Sequence, residues 1–142
     1  MTRVRDVLGV KGQAIHSIEP DASVYDAMKL MADKGIGALL VLEHEKLVGI
    51  ISERDYARKV ILKGKSSLDT PVKDIMTQDV IWVRPEQTVE ECMAVMTEKR
   101  VRHLPVIEEG KVVGVISIGD LVKSIITEQK FIIEQLERYI AQ

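Results

Sequence analysis

Cysteine is nearly absent from this chain: Cys92 is the one thiol in 142 residues, so no internal disulfide can form and a reducing compartment is expected. Val89, Met93 and Met96 share its helical spacing, which predicts a thiol packed on an apolar face rather than a redox or catalytic one. No apolar run approaches membrane-spanning length, and Met1–Asp6 leads into no signal-peptide core. The cytoplasm is therefore the expected location, and no membrane is expected as a partner. An excess of one charge is also missing. Twenty Lys and Arg stand against 22 Asp and Glu, and the net charge of −2 gives no general attraction to nucleic acid. His16, His44 and His103 fall in unrelated contexts, none with Cys or His at metal-ligand spacing. There is no Walker loop, G-x-G-x-x-G or nucleophile elbow, and Ser52 and Ser117 have no general base near them in sequence. Neither catalysis nor a metal site is expected.

What the chain does contain is itself, twice. A composition of 46% hydrophobic and 30% charged residues describes a folded chain forming one domain or two small halves sharing a core. Pairing residue i with i+65 matches Pro20 with Pro85, Val24 with Val89, Met28 with Met93 and Met31 with Met96. The match runs on through Leu39/Leu104, Val41/Val106 and Val48/Val113 into Gly49-Ile-Ile-Ser52-Glu-Arg-Asp55 and Gly114-Val-Ile-Ser117-Ile-Gly-Asp120. Upstream, Val4-Arg-Asp-Val-Leu8 resembles Val72-Lys-Asp-Ile-Met76 at an offset of 68, so the first repeat carries about three extra residues around Gly9–Gln13.

Each repeat reads β-α-β-β-α, an α/β (α+β) chain with a long C-terminal helix. Ile15–Ile18 and Val80–Val83 are short β-rich runs. Ser23-x-x-Asp26 and Thr88-x-x-Glu91 form capping boxes before helices with one apolar face. Ala38–Leu42 with Leu47–Ile51, and Leu104–Ile107 with Val112–Ile116, read as hairpins turning at Glu43-His44-Glu45 and Glu108-Glu109-Gly110. Thr70-Pro71 supplies an N-cap and a first-turn proline for the next helix. The organisation is a first motif over 1–62, a polar linker over 63–71, a second motif over 72–124 and an amphipathic helical extension over 125–142. That extension exceeds what one small half needs for its own core, which points to a partner surface, with packing on its own domain as the alternative.

Ser-x-x-Asp at a strand-to-helix junction has two readings. It is a capping box that starts a helix. It also gathers a hydroxyl, a carboxylate and unpaired backbone N–H groups where a ribose and phosphates can bind, and Gly49 and Gly114 allow close approach of backbone or ligand. The carboxylate would face a cis-diol and basic side chains the phosphates. Those bases are unequally distributed: Lys99-Arg100-Val101-Arg102-His103 precedes the second hairpin, whereas Arg54, Arg58 and Lys59 follow the first signature. Two pockets built this way would not be equivalent.

The duplicated unit, its G-h-h-S-x-x-D endings and His103-Leu-Pro-Val106 together resemble a pair of cystathionine-β-synthase (CBS) domains, a Bateman module of the small stand-alone type. The resemblance covers about Val4 to Lys123. It implies pseudo-twofold packing of the repeats and two clefts for adenosine-type ligands, with AMP the first expectation and ADP, ATP, NAD or S-adenosylmethionine the alternatives. One cleft would combine Val115, Ser117, Asp120 and His103 with His16, Ile36 and Gly37. The other would combine Ile50, Ser52, Arg54 and Asp55 with Met76, Ile81, Val101 and Arg102. The first repeat departs from the pattern, since Gly37-Ala38-Leu39-Leu40 lacks the Arg-His-x-Pro features. The implied function is regulatory: an adenine nucleotide alters packing, and a partner reads the change. The implied assembly is a homodimer, with a separately encoded enzyme or transporter as a further partner. The competing reading is a structural dimerisation adaptor whose Ser-x-x-Asp boxes are caps alone.

Overall fold

The computed structural model describes residues 1–12 and 14–141; Gln13, at the end of the extra stretch in the first repeat, and Gln142, at the end of the extension, lie outside the described residues. The chain is mixed α/β and divides into two compact units that are out of phase with the sequence repeat. One unit is Ile15–Ile81. The other joins Met1–Ala14 to Trp82–Gln142.

The unit Ile15–Ile81 is built on a three-stranded sheet in the order β1 (Ser17–Ile18), β2 (Ala38–Glu43), β3 (Lys46–Ser52). β1 runs parallel to β2, and β2 pairs antiparallel with β3 from Ala38↔Ser52 to Glu43↔Lys46. The hairpin turn is two residues long, and both His44 (φ 49°) and Glu45 (φ 66°) adopt the left-handed conformation that such a turn requires. Helix α2 (Val24–Lys34) begins where Ser23 Oγ accepts from Asp26 N at 3.0 Å. Its apolar face, Val24, Ala27 and Met31, is buried with Leu39, Val41 and Ile51. Helix α3 (Glu53–Tyr56) widens into a π-helical turn over Ala57–Ile61. Val72 and Ile75 complete the core from the start of the second sequence repeat.

The other unit repeats this plan. β4 (His103–Glu108) pairs with β5 (Lys111–Ser117) from His103↔Ser117 to Glu108↔Lys111, turning at Glu109 and Gly110. Helix α4 (Val89–Lys99) carries a complete Thr88/Glu91 capping box and buries Val89, Cys92 and Met96. Helix α1 (Val4–Lys11) is anchored here by Val4 N and Arg5 N donating to the Gln87 and Pro85 carbonyls at 2.8 and 3.0 Å. Helix α5 (Ile118–Ala141) runs for 24 residues.

The exchange of leading segments explains the signature glycines. Leu8 of α1 lies against Gly114, where an added Cβ would come within 2.7 Å of Leu8 Cδ2. Met76 lies against Gly49 in the same way, with its Sδ 2.6 Å from the corresponding Cβ position. Leu8 and Met76 are the residues matched at the 68-residue offset. Each glycine therefore admits an apolar side chain from an incoming segment, and the close approach expected from the sequence is one of packing.

Three local expectations are corrected. Val80–Val83 forms no strand. Val83 alone makes a parallel bridge to Val106, with Val83 N and Ile107 N donating across it, while Val80 N turns back to the Gln78 carbonyl. Thr70-Pro71 does not open a long helix: Pro71 (ψ 150°) is the cap of a single 3-10 turn over Val72–Asp74. There the Val72 N–H is drawn to the Ala22 carbonyl at 2.8 Å and Pro71 pairs with Ser23. The Ser23 box is one-sided, with Ser23 capping Asp26 N without the reciprocal bond.

Candidate functional site

Both Ser-x-x-Asp signatures fold into reciprocal capping boxes, and each gains a lysine. In the unit holding β5, Ser117 N donates to Asp120 Oδ2 at 2.8 Å and Asp120 N donates to Ser117 Oγ at 3.2 Å. The Lys11 ammonium reaches the same Oδ2 at 2.6 Å and the Val115 carbonyl at 2.7 Å. Burial alone would push the Asp120 carboxyl up, but hydrogen bonds from Lys11 and Ser117 and the Lys11 charge outweigh it and hold the group below the usual carboxylate range. Asp120 Oδ1 accepts no hydrogen bond among the described residues.

His103 stands beside this pair on β4, opposite Ser117. Burial pushes its pKa below the ordinary histidine value; the Lys11 charge adds to that effect and Asp120 opposes it. The imidazole is therefore neutral at neutral pH and offers one donor and one acceptor. Arg102 precedes it with an exposed side chain, and the Arg102 carbonyl accepts from Ile118 N at 2.9 Å. Val101 and Arg102, expected in the Asp55 cleft, thus belong to the unit that holds Asp120.

In the unit Ile15–Ile81, Ser52 N and Oγ donate to Asp55 Oδ2 at 3.0 and 3.1 Å. Thr77 Oγ1 donates to Oδ1 at 3.5 Å, and the Lys59 ammonium pairs with the same oxygen at 3.1 Å while donating to the Ile75 carbonyl at 2.9 Å. Both oxygens of Asp55 are therefore engaged, in contrast to Asp120. Ile50 exchanges backbone hydrogen bonds with Thr77, which sets Met76 beside the strand end. Arg54 follows Ser52 on α3, and Ile81 closes the unit. The three residues expected to complete the Asp120 cleft also lie in this unit. Gly37 O accepts from Glu53 N at 3.0 Å, Ile36 N donates to Met31 O, and His16 O accepts from Leu40 N. Gly37/Glu53 and Arg102/Ile118 are thus the same backbone bond made in each unit.

Lys11 and Thr77 were missed by the sequence reading, and Lys59 was seen as a cation but not as the partner of Asp55. The i,i+4 spacing of Asp55 and Lys59 was available as a signal. No local pattern connects Lys11 to Asp120.

Among the described residues no three His, Cys, Asp or Glu side chains gather as a metal site, and no helix is long and apolar enough to cross a membrane. Cys92 is fully buried, and burial, with the Glu91 charge, pushes its thiol up to about 11.

Comparison with known proteins identifies the fold and the family. The chain is 41% identical over 148 aligned residues to the mitochondrial CBS domain-containing protein CBSX3 of Arabidopsis thaliana, covering 98% of this chain and 72% of that one. A putative signal-transduction protein with CBS domains from Burkholderia ambifaria superposes with a TM-score of 0.87 at 53% identity, covering 90% of this chain and 96% of the other. The CBS domain pair of protein MJ0100, solved in complex with 5′-methylthioadenosine and S-adenosyl-L-methionine, superposes with a TM-score of 0.80 at 25% identity, over 90% of this chain and 98% of that one. The CBS domain family matches residues 4–62 and 72–127, so the two capping-box aspartates fall one in each match. The chain belongs to the CBS domain family, of which it carries a tandem pair.

Proposed function

We propose that this CBS pair is a regulatory module whose ligand is an adenosyl compound held through its ribose by Asp120, with AMP placed first and ADP, ATP, NAD and S-adenosylmethionine as competitors. The observation that carries the reading is the Asp120 carboxylate. Ser117 and Lys11 fix it through Oδ2 and leave Oδ1 without a protein donor among the described residues, so one oxygen remains to accept from a ribose hydroxyl. Val115, Ser117, His103, His16, Ile36 and Gly37 are assigned to this ligand. Ile50, Ser52, Arg54, Asp55, Met76, Ile81, Val101 and Arg102 are assigned to a second, weaker one, because Asp55 must give up Thr77 or Lys59 to receive a hydroxyl. The MJ0100 pair, whose solved complex holds two adenosyl ligands, supports the ligand class.

A ligand regulates by binding one conformation better than another. The responding assembly is taken to be a cytoplasmic homodimer that acts on a separately encoded enzyme or transporter and itself catalyses nothing. Titration calorimetry with AMP, ADP, ATP, NAD and S-adenosylmethionine tests the reading. At least one binds the wild type, Asp120→Ala removes the tighter event and Asp55→Ala the weaker. Absence of heat from all five up to low-millimolar concentration refutes it. The exposed apolar length of α5 favours one alternative, a dimerisation adaptor with no physiological nucleotide, which predicts that absence.

A further inference from the structure

The extra stretch of the first repeat fills no core. Its residues Gly9, Val10, Lys11 and Gly12 are exposed, Val10 by 87%, and a Cβ added at Gly9 or Gly12 would meet nothing within 4 Å. What the stretch does is carry Lys11 to the end of β5. There the ammonium donates to the Val115 carbonyl and to Asp120 Oδ2, all within the unit that joins Met1–Ala14 to Trp82–Gln142. Ile50, matched with Val115 at the 65-residue offset, shows the alternative. Its carbonyl accepts from the backbone N–H of Thr77 at 2.9 Å, just after the shorter leading turn Val72–Asp74. Matched carbonyls thus meet an uncharged backbone donor in one unit and a cation in the other.

Stability gives little reason for the cation. The Lys11 side chain is 36% exposed, and ion pairs so placed contribute weakly against solvent screening. Recognition gives a better one. An ammonium has three N–H donors; among the described residues Lys11 spends one on Val115 and one on Asp120, so a third is left for a ligand. Asp120 Oδ1 is also unpaired, on the carboxylate that Lys11 holds. The pair therefore offers a free acceptor and a free donor side by side. A ribose hydroxyl suits the acceptor. The donor calls for an acceptor on the same ligand, and an ionised one gains most from an ammonium. A lone Asp120 carboxylate would repel that anion, and its pairing with Lys11 cancels the repulsion. A neutral 5′-hydroxyl at the same place gains no charge interaction, and the sulfonium of S-adenosylmethionine is repelled by the ammonium.

We infer that Lys11 is the specificity-determining residue of the Asp120 cleft: its ammonium reads an anionic group on the ligand, so that the cleft selects a 5′-phosphorylated adenosine over adenosine or S-adenosylmethionine. The inference rests on the proposed function and narrows its ligand class. It also gives the extra residues of the first repeat a task, which is to bring a cation to the ribose-binding carboxylate of the second.

Titration calorimetry of the full chain with AMP, adenosine and S-adenosylmethionine tests it, in an Asp55→Ala parent that leaves only the Asp120 event. The parent is expected to bind AMP about tenfold more tightly than either of the others, the difference that one charge-assisted hydrogen bond makes. Lys11→Met should lower AMP affinity about tenfold while changing adenosine affinity less than about threefold, with thermal unfolding confirming that the variant is folded. Lys11→Arg keeps the charge and should keep the preference. Added salt should weaken AMP binding to the parent more than to Lys11→Met. Equal losses of AMP and adenosine in Lys11→Met would make the ammonium a mere holder of Asp120 and overturn the inference. A parent that binds AMP and adenosine alike overturns it too, and in both cases the ribose reading stands. Absence of binding by all three overturns the proposed function, and this inference with it.

Discussion

Replacing Gly114 by alanine asks what the signature glycine is for. The new Cβ would sit 2.7 Å from Leu8 Cδ2, 3.0 Å from Cδ1 and 3.4 Å from Cγ, against a side chain only 2% exposed. Leu8 cannot swing into solvent without undocking α1, so the substitution overpacks the core at a cost of about 2 kcal/mol. Leu8→Ala alone leaves a cavity and costs about 3 kcal/mol. In the double variant the alanine methyl enters space that Leu8 vacated, so the steric term disappears and part of the cavity is filled. The double variant should then cost about 3 kcal/mol rather than about 5, a coupling of about 2 kcal/mol, well above the few tenths seen for independent sites. Trp82, the one tryptophan, belongs to the same unit as Leu8 and Gly114, so its fluorescence during urea unfolding follows the relevant transition. Additive costs within about 0.5 kcal/mol would refute the packing role. Full stability of Gly114→Ala together with lost nucleotide binding would return the glycine to the ligand.

Lys11→Met should cost about 0.5 to 1 kcal/mol at neutral pH, a value kept small because the ammonium side chain is 36% exposed and screened. Since Lys11 lowers the Asp120 pKa, the stability it supplies is present above the unfolded carboxylate value and disappears as pH falls through the folded one; urea titrations below about pH 4 should bring variant and wild type together. Glu45→Gly should raise stability by about 1 kcal/mol in thermal melts, because Glu45 holds φ 66° where the equivalent turn has Gly110. Cys92 should react with a thiol reagent at pH 8 only as fast as the unit opens, being buried with its thiol near 11; a burst of modification would contradict its place in the core.

The duplication, both hairpins, the apolar helix faces and the length of α5 were legible because each is a periodic pattern within a short stretch of chain. The 65-residue match even pairs buried positions correctly, as in Met31/Met96 and Ile51/Ile116. Legibility stopped where a residue's partner is distant in sequence. Lys11 meets Asp120 across 109 positions, and nothing around either residue announces the other. Gly49 and Gly114 were recognisable as close-approach positions, but the approaching group comes from outside the local motif. One clue was the shift in offset from 65 to 68, which marks Val4–Leu8 and Val72–Met76 as segments not locked to the repeats they precede. Val80–Val83 misled because β-rich composition says nothing about whether a neighbouring strand has room for more than one bridge.

The exchanged leading segments also set a timetable for synthesis. Everything needed by Ile15–Ile81 has left the ribosome once Ile81 has, so the middle of the chain can fold while the remainder is still being made. Helix α1 has no such opportunity: Val4, Arg5 and Leu8 are made before that unit, yet Gln87, Pro85 and Gly114, against which they dock, come after it. The apolar side chains of Val4 and Leu8 must therefore wait, uncovered, until those later residues have been made. Residues made ahead of the unit Ile15–Ile81 thus reach their native places after it.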